Sequence, residues 1–262
     1  MSSADLLSDL SDIAKQAGVK IMEIYDSGVF ETQHKDDASP VTKADKAGEA
    51  IILAGLHRIE PQTPVLAEES ASEGRIPELG ARFYLVDPLD GTKEFLKKSG
   101  EFTVNIALVE NGAPTAGVVY APALGALYAG AKGAGATRTD VESGAATTIS
   151  VRTPDEDGLI VVASKSHRTP QTDALLETLS VKSFTAAGSS LKFCRIAEGA
   201  ADFYPRLGPT MEWDTGAGHA VLEAAGGVVY AHPEGGPLRY GNKARDFLNP
   251  FFMAHGARPF DV

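Results

Sequence analysis

Two aspartates separated by a Pro-Leu pair form the stretch of this sequence with the clearest potential for chemistry. Asp87 and Asp90 follow the apolar run 83–86 and precede a possible helix start at Gly91-Thr92. Hard divalent cations prefer carboxylate oxygens, while the free N–H groups and positive dipole end of a helix N-terminus attract phosphate oxygens. This junction between a strand and a helix therefore predicts a site where a metal ion and a phosphate group meet.

The same stretch also has a purely structural interpretation. Asp-Pro and Asp-Gly are among the commonest turn dipeptides, and Thr92 could serve only as a helix cap. The motif by itself leaves the turn and the catalytic interpretations open, so the other acidic residues must decide between them.

Further acidic residues lie where predicted elements begin or end. Asp45 opens an amphipathic helix, where a carboxylate would equally serve as a cap or a dipole partner. Glu68 and Glu69 follow a short apolar run. Adjacent residues of a strand point to opposite sides, so we expect at most one of the two in a common site, with a surface position as the alternative for Glu68. Asp214 opens another predicted helix. Carboxylates that converge without a cation repel one another, and ligation by oxygen alone suits Mg²⁺.

Composition limits the classes of function. The 262 residues, 43% hydrophobic and 23% charged, can bury a substantial core in one large domain or two small ones. A formal charge of -11, from 35 acidic and 24 basic residues, argues against a nucleic-acid polymer or a membrane surface as partner, but not against a small phosphorylated substrate. Cys194 is the only cysteine, which excludes an intramolecular disulfide and a cysteine-based zinc site.

Targeting patterns are also lacking in the sequence. We find no signal-peptide pattern and no run of about 18 apolar residues, so we expect no integral membrane segment and a cytoplasmic protein. Peripheral association with the inner membrane through a partner stays open, and a homodimer is a further expectation.

Hydrophobic periodicity predicts the elements that must position the acidic residues. The predicted helices cover 6–27, 45–59, 172–179, 191–198 and 214–225. The predicted strands cover 64–67, 83–86, 102–108, 117–120, 126–129, 159–163, 181–186, 201–204, 228–230 and 251–254. A polar break at 154–158 divides an N-terminal α+β part, residues 1–153, from a C-terminal α/β part, residues 154–262.

Three separated motifs resemble, in order, those of the inositol monophosphatase superfamily of metal-dependent, lithium-sensitive phosphatases. They are VLAEES at 65–70, DPLDGTKEF at 87–95 and EWDTGAGH at 212–219. The resemblance extends from SPVTKAD at 39–45 to Gly227. Within the superfamily the chain looks most like the bacterial 3'(2'),5'-bisphosphate nucleotidases of the CysQ type. The resemblance implies an αβαβα sandwich of the inositol monophosphatase and fructose-1,6-bisphosphatase type, which agrees with the alternation of predicted helices and strands.

The resemblance also implies a set of metal ligands and a catalytic pair. Two or three Mg²⁺ ions would be held by the side chains of Glu68, Asp87, Asp90 and Asp214 and by the backbone carbonyl of Leu89. Asp45 and Thr92 would form a carboxylate–hydroxyl pair that orients and helps to deprotonate a metal-bound water, with Glu68 counted among the catalytic residues. Most of these ligands lie in the N-terminal part, and the last lies in the C-terminal part.

Substrate choice must come from other residues, most of them in the C-terminal part. The candidate substrate-binding residues are Gly91, Thr92, Lys93, Ser164, His167, Ser189, Lys192, Arg206 and Asp214. The hydrogen-bond donors His167, Lys192 and Arg206 suit a second phosphate, although each is also open to interpretation as a solvated surface residue. The resemblance favours adenosine 3',5'-bisphosphate as substrate, with 3'-phosphoadenylyl sulfate second, in sulfur assimilation.

Two other functions stay open from the sequence. The fold and metal core implied by the resemblance also support inositol monophosphatases and fructose-1,6-bisphosphatases, and a fold does not dictate its substrate. A non-catalytic anion or metal sensor would bind ions without turnover. The presence of both Asp45 and Thr92 argues against a sensor.

Overall fold

The computed structural model describes residues 2–30, 33–34, 40–163 and 169–257. Its helices are α1 Ser3–Ser27, α2 Lys43–Ile59, α3 Glu68–Ser72, α4 Thr92–Leu96, α5 Pro170–Glu177, α6 Leu191–Ala197 and α7 Glu212–Ala224. Its strands are β1 Gln33–His34, β2 Pro40–Val41, β3 Val65–Ala67, β4 Arg82–Asp90, β5 Thr103–Glu110, β6 Ala113–Ala121, β7 Ala126–Ala131, β8 Gly135–Asp140, β9 Ala146–Ile149, β10 Leu159–Ala163, β11 Val181–Ala186, β12 Phe203–Arg206, β13 Val228–His232 and β14 Phe251–His255. None of the helices in these ranges is both long and apolar enough to cross a bilayer.

The described strands form two main sheets and one short pair, β1 with β2. Strands β3 to β9 lie side by side in sequence order, and all neighbours are antiparallel except β3 and β4. The second sheet has the order β11-β10-β12-β14-β13, parallel around β10 and antiparallel from β12 to β13. The predicted boundary at 153/154 falls between β9 and β10.

Apolar side chains divide the described part of the molecule into alternating layers. Helices α1 and α2 cover one face of the first sheet, where Ile52 packs in the same cluster as Ile106. Helices α6 and α7 fill the space between the two sheets, with Val221 in the cluster that joins them. Helix α5 covers the outer face of the second sheet through Leu176 against Phe203. This order of layers confirms the predicted αβαβα sandwich.

Two segments differ from the expectations drawn from the sequence. Strand β8 and all of β9 except its last residue lie in the stretch 133–148, which is rich in small residues and carries no strand prediction. Glu68 and Glu69 were expected at the end of a strand, but they begin the short helix α3. The argument from strand alternation about their directions was therefore wrong.

Candidate active site

The strand that carries the central motif leaves regular pairing before it ends. Strand β4 pairs with β5 as far as Asp87 and again at Asp90, so Pro88 and Leu89 form an irregular step between them. Asp87 Oδ1 accepts a 3.0 Å hydrogen bond from Leu89 N, which is the local bonding expected of an aspartate in a turn. The step holds both aspartates at the end of β4, directly before α4.

The aspartates of this motif share their surroundings with Glu68 and Asp214. Burial raises the pKa of Asp87 well above its usual range, and the charges of Glu68, Asp90 and Asp214 raise it further. Burial also raises the pKa of Asp90, and the positive charge of Lys192 partly offsets this rise. Burial likewise raises the pKa of Asp214 well above its usual range, and the charges of Asp90 and Glu68 raise it further. These four carboxyl groups therefore lie close enough to repel one another when they are ionised.

The four carboxyl groups have the right chemistry for Mg²⁺ but are not yet arranged as its ligands. Among the described residues, no group of three or more His, Cys, Asp or Glu side chains stands ready to ligate one metal ion. Charge repulsion acts over several ångströms, whereas ligation of Mg²⁺ requires oxygen atoms at about 2.1 Å from one point. The acidic cluster of Glu68, Asp87, Asp90 and Asp214 thus supplies the type of oxygen donor that suits Mg²⁺, although these side chains are not arranged around one point.

Asp45 and Thr92 meet beside this acidic cluster. Thr92 Oγ1 donates a hydrogen bond to Asp45 Oδ1 across 3.3 Å and lies 3.5 Å from the carbonyl oxygen of Leu89. Asp45 Oδ2 accepts hydrogen bonds from Thr42 N at 2.7 Å and Thr42 Oγ1 at 2.6 Å, within the capping box of α2. Burial raises the pKa of Asp45 to about 6, although the bonds from Thr42 lower it. Asp45 therefore caps its helix and contacts Thr92 with different oxygens.

Thr92 is not the cap of α4. Gly91 occupies the N-cap position with a φ of 93°, and no side chain caps this helix start. The left-handed conformation favours glycine. A β-carbon at Gly91 would also lie 2.2 Å from Ser189 Oγ. The C-terminal part of the chain therefore packs directly against the N-cap of α4.

The N-terminal ends of α6 and α7 complete a cleft beside Asp90. Its lining includes Asp90, Asp214, Ser189, Lys192, Tyr204 and Arg206. Ser189 Oγ donates hydrogen bonds to the carbonyl oxygens of Asp90 at 2.8 Å and Glu101 at 2.9 Å. These two bonds tie the segment before α6 to the end of β4.

Lys192 and Arg206 bring positive charge into the cleft. Lys192 is 8% exposed, and its Nζ donates a 2.7 Å hydrogen bond to the carbonyl oxygen of Ser189 and lies 5.6 Å from the ring centre of Tyr204. Arg206 Nη2 donates a 2.8 Å hydrogen bond to the carbonyl oxygen of Pro209. Arg206 Nε is buried and has no hydrogen-bond partner in the described part of the chain. A buried donor without an acceptor is costly, so this guanidinium suits an anionic ligand.

Not all predicted substrate residues can be placed in this cleft. Lys93 is exposed on α4 and does not line the cleft. Ser164 and His167 lie outside the described residues. Gly91 and Thr92 stand at the edge of the acidic cluster through their contacts with Ser189 and Asp45.

Several cleft residues had no functional prediction from the sequence. Glu94 and Glu101 line the cleft, and Glu101 Oε2 accepts a 3.1 Å hydrogen bond from the backbone N–H of Gly188. Asn105 Nδ2 donates to Ser190 Oγ at 3.0 Å and, more weakly, to Asp90 Oδ2 at 3.4 Å. Alternation along β5 is typical of a strand with one polar face in solvent, yet Asn105 is 1% exposed. The sequence contained no signal of this burial.

Comparisons with known proteins agree with this geometry. The model of the inositol monophosphatase family matches residues 4–250. A protein of Salmonella typhimurium named 3'(2'),5'-bisphosphate nucleotidase CysQ is 46% identical over 248 residues, which cover 94% of this chain and 98% of that protein. The protein of the same name from Escherichia coli K12 is 45% identical with the same coverage of both chains, 94% and 98%.

Solved structures give the same result. The structure of CysQ from Bacteroides thetaiotaomicron, described as a bacterial member of the inositol monophosphatase family, has a TM-score of 0.79 and 38% identity and covers 97% of this chain and 98% of its own. An inositol monophosphatase from Anabaena has a TM-score of 0.75 and 28% identity, with coverage of 97% and 92%.

Proposed function

The chain belongs to the inositol monophosphatase family, and on that premise we propose that it is a metal-dependent phosphatase that removes the 3'-phosphate of adenosine 3',5'-bisphosphate. The sulfated analogue 3'-phosphoadenylyl sulfate is the expected second substrate. Relatives named 3'(2'),5'-bisphosphate nucleotidase, at 46% identity over 94% of this chain, support the assignment. The structural observation that carries it is one cleft lined by two members of the acidic cluster, Asp90 and Asp214, and by two cations, Lys192 and Arg206.

The acidic side of the cleft is proposed to hold two or three Mg²⁺ ions. The proposed ligands are the carboxylates of Glu68, Asp87, Asp90 and Asp214 and the carbonyl oxygen of Leu89. When bound, the ions supply Lewis-acid chemistry, which lowers the pKa of water and neutralises charge on the departing oxygen. The protein contributes buried and half-buried oxygen donors from three separate elements, α3, β4 and α7.

Thr92 and Asp45 are proposed to orient the attacking water and to take its proton. The Thr92 hydroxyl donates to Asp45 Oδ1, which leaves its oxygen lone pairs free to accept a hydrogen bond from water. Asp45 is held in place by Thr42, so the receiving carboxylate is oriented before substrate arrives. A positioned general base typically contributes about 10²- to 10⁴-fold to the rate.

The two phosphates of the substrate would contact different sides of the cleft. The backbone N–H groups of Gly91 and Thr92 are proposed to bind the 3'-phosphate beside the acidic cluster. Lys192 and Arg206 are proposed to bind the 5'-phosphate, because a second dianion near so many carboxylates needs positive partners. Arginine can meet a phosphate with two charge-assisted hydrogen bonds. A substrate with only one phosphate would leave these cations without a phosphate to bind.

Phosphate release from a small substrate panel tests the proposal. The panel contains adenosine 3',5'-bisphosphate, 3'-phosphoadenylyl sulfate, inositol 1-phosphate and fructose 1,6-bisphosphate, each with Mg²⁺ and with excess EDTA. We expect the highest kcat/KM for the adenosine bisphosphate, no turnover in EDTA, and inhibition by millimolar Li⁺.

Each other result points to a different function. A higher kcat/KM for inositol 1-phosphate or fructose 1,6-bisphosphate would replace the substrate assignment. Turnover in excess EDTA would exclude the metal-dependent reaction. Binding of the bisphosphate without phosphate release would indicate a sensor. The homodimer and the cytoplasmic location stay predictions that this assay does not address.

A further inference from the structure

Glu49 is a buried carboxylate that the proposed reaction does not use. It lies on α2, one helical turn after Asp45, and is 4% exposed. Its Oε2 accepts a 2.8 Å hydrogen bond from Glu69 N. Its Oε1 accepts hydrogen bonds from Ser70 N at 2.9 Å and from Ser70 Oγ at 2.6 Å. Both oxygens therefore bind the first turn of α3.

Helix α3 obtains its cap from another element. Its own N-cap residue is Ala67, and no local side chain caps the helix. The first N–H groups of a helix lack partners within the helix, and a negative charge is favourable at this end. The Glu49 carboxylate meets both requirements, so the start of α3 is fixed relative to α2.

The residue that this arrangement orients is Glu68. It is the first residue of α3 and directly precedes the two amides that Glu49 binds. Charge from Glu68 reaches both Asp87 and Asp214, so its carboxylate faces the acidic cluster. A change in the direction of α3 would move Glu68 away from the other carboxylates.

We propose that Glu49 is a positioning residue that fixes Glu68 as a ligand and so sets the affinity of the site for divalent cations. The proposal rests on the metal site of the proposed function. Glu49 and Asp45 lie on the same helix, so α2 fixes two sides of the site, one through Thr92 and the other through α3. Partners that orient a metal ligand typically contribute about 10- to 100-fold to metal affinity.

The test is the binding of Mn²⁺ to metal-free protein in the absence of substrate. Electron paramagnetic resonance measures the free and bound Mn²⁺. In Glu49→Gln the side chain keeps its size, but one of the two acceptor oxygens becomes an N–H donor that faces a backbone N–H. We expect the Kd for Mn²⁺ to rise about 10- to 100-fold. At saturating Mg²⁺, kcat should fall by a smaller factor than the affinity does. Thermal unfolding is measured on the same samples.

Asp202→Asn is the matched control. Asp202 is 1% exposed, accepts a 2.7 Å hydrogen bond from Ile160 N and is held by Arg152 Nε and Nη2, each at 2.8 Å. It does not line the cleft. We expect Asp202→Asn to lower the thermal midpoint and to leave the Kd for Mn²⁺ unchanged. This control separates loss of a buried carboxylate from loss of the metal ligand's orientation.

Two milder variants keep the test decisive if Glu49→Gln does not fold. Glu49→Asp retains the charge with a shorter reach, and Ser70→Ala removes one of the three hydrogen bonds. Each should weaken Mn²⁺ binding by about 2- to 10-fold. Unchanged Mn²⁺ affinity in Glu49→Gln, or in both milder variants, would overturn the role of Glu49 alone. A parent protein that binds no Mn²⁺ would overturn the proposed function as well.

Discussion

The two oxygens of Asp45 have different partners. Oδ2 accepts two hydrogen bonds from Thr42 and so stabilises the start of α2, whereas Oδ1 faces the hydroxyl of Thr92 at 3.3 Å. The cap needs only one oxygen, so the other stays available to accept a proton through Thr92. A single carboxylate can therefore stabilise its helix and take part in the reaction.

This arrangement predicts a specific kinetic effect of changing either member of the pair. Thr92→Ala and Asp45→Asn should each lower kcat by about 10²- to 10⁴-fold with a much smaller change in KM, because the pair acts on the water in the transition state. The double variant should be little worse than the poorer single variant, since both act in one step. Steady-state phosphate release provides the measurement.

Thr115→Ala is the matched control for the Thr92 variant. Its hydroxyl donates a 2.7 Å hydrogen bond to Glu110 Oε2, and it does not line the cleft. We expect its kcat and KM to equal those of the parent. Losses confined to KM in the Thr92 and Asp45 variants would show that the pair positions substrate and does not activate water.

Arg206 is the residue on which substrate choice is expected to depend most. Its Nε is a buried donor without a partner in the described part of the chain, and charge-assisted hydrogen bonds contribute roughly 1.5 to 3 kcal/mol each. Arg206→Ala should therefore lower kcat/KM for adenosine 3',5'-bisphosphate by about 10- to 150-fold. Hydrolysis of inositol 1-phosphate should change little.

The comparison needs a control arginine outside the cleft. Arg195 lies on α6, pairs with Glu198 at 2.6 Å and does not line the cleft, so Arg195→Ala should leave both substrates unaffected. If Arg206→Ala depresses the two substrates equally, then Arg206 supports the metal site or the fold, and the preference for a nucleotide loses its physical basis.

At the scale of elements, the close approach of α4 and the segment before α6 determines the shape of the site. Gly91 has a φ of 93°, and a β-carbon there would lie 2.2 Å from Ser189 Oγ. Ser189 in turn binds the carbonyl oxygens of Asp90 and Glu101. A side chain at Gly91 would therefore disturb both the backbone conformation and the contact between the two parts of the chain.

Gly91→Ala should accordingly lose both stability and activity. A left-handed conformation costs a residue with a β-carbon roughly 1–2 kcal/mol, and displacement of Ser189 adds to that cost. Gly133→Ala isolates the first effect, because Gly133 has a φ of 77° and a β-carbon added there would meet no other atom within 4 Å. We expect the Gly133→Ala variant to lose about 1–2 kcal/mol of unfolding free energy and to keep the kcat of the parent. Equal activity of the two variants would contradict the role of this contact.

Local patterns predicted the long elements well and the short ones poorly. Helix α1 and helix α2 have continuous apolar faces, so their sequences alone indicated them. Helix α3 has five residues and takes its cap from Glu49, which is 20 residues away from Glu69. Strands β8 and β9 consist mostly of small and polar residues, and the pairing of β8 with β7 and of β9 with β8 supplies the stability that their own composition does not.

Which residues face the cleft depends on contacts between distant parts of the chain. The acidic motifs indicated Asp90 and Asp214, which line the cleft, because their types and positions at element ends are local features. The bond from Asn105 to Ser190 joins residues 85 positions apart, and no local pattern encodes it. The bond from Gly188 N to Glu101 joins residues 87 positions apart and has no local signal either.

At the scale of the whole molecule, a buried histidine should make the stability depend on pH. His255 is 2% exposed in the second sheet, its ring lies 5.0 Å from that of Phe203, and burial lowers its pKa from 6.5 to about 4. Between these values the unfolded chain binds a proton that the folded chain does not. This contribution to stability is therefore present above pH 6.5 and is lost as the pH falls towards 4.

The expected loss is about 2 kcal/mol between pH 7.5 and pH 5. Asp45 acts in the opposite direction, because its pKa is raised to about 6 and its contribution is lost as the pH rises. The difference between the parent and His255→Phe isolates the histidine, and urea unfolding in EDTA at the two pH values measures it. His57→Gln, at an exposed position of α2, should keep the pH dependence of the parent. An identical dependence in His255→Phe would contradict this account.

The acidic cluster joins the N-terminal and C-terminal parts of the chain, so its cations should stabilise the whole molecule. Asp90 ends β4, and Asp214 lies in the first turn of α7. Burial raises the pKa of Asp214, and the charge of Asp90 raises it further. A ligand that binds only the folded state adds about 2.7 kcal/mol of stability at a concentration 100 times its Kd. We therefore expect Mg²⁺ to raise the thermal midpoint clearly above its value in EDTA at matched ionic strength.

Asp214→Asn distinguishes specific binding from general screening of charge. The amide oxygen of the new side chain can still accept the hydrogen bond that Met211 N donates at 2.8 Å, but the substitution removes one repelling charge. This variant should be more stable than the parent in EDTA and should gain little from Mg²⁺. Asp140→Asn, in a surface turn where Asp140 accepts hydrogen bonds from Ser143, should gain as much from Mg²⁺ as the parent. If Asp214→Asn gained the same stability from Mg²⁺, then the ion would not be held between β4 and α7, and the two parts of the chain would be joined only by packing and by hydrogen bonds such as those of Ser189.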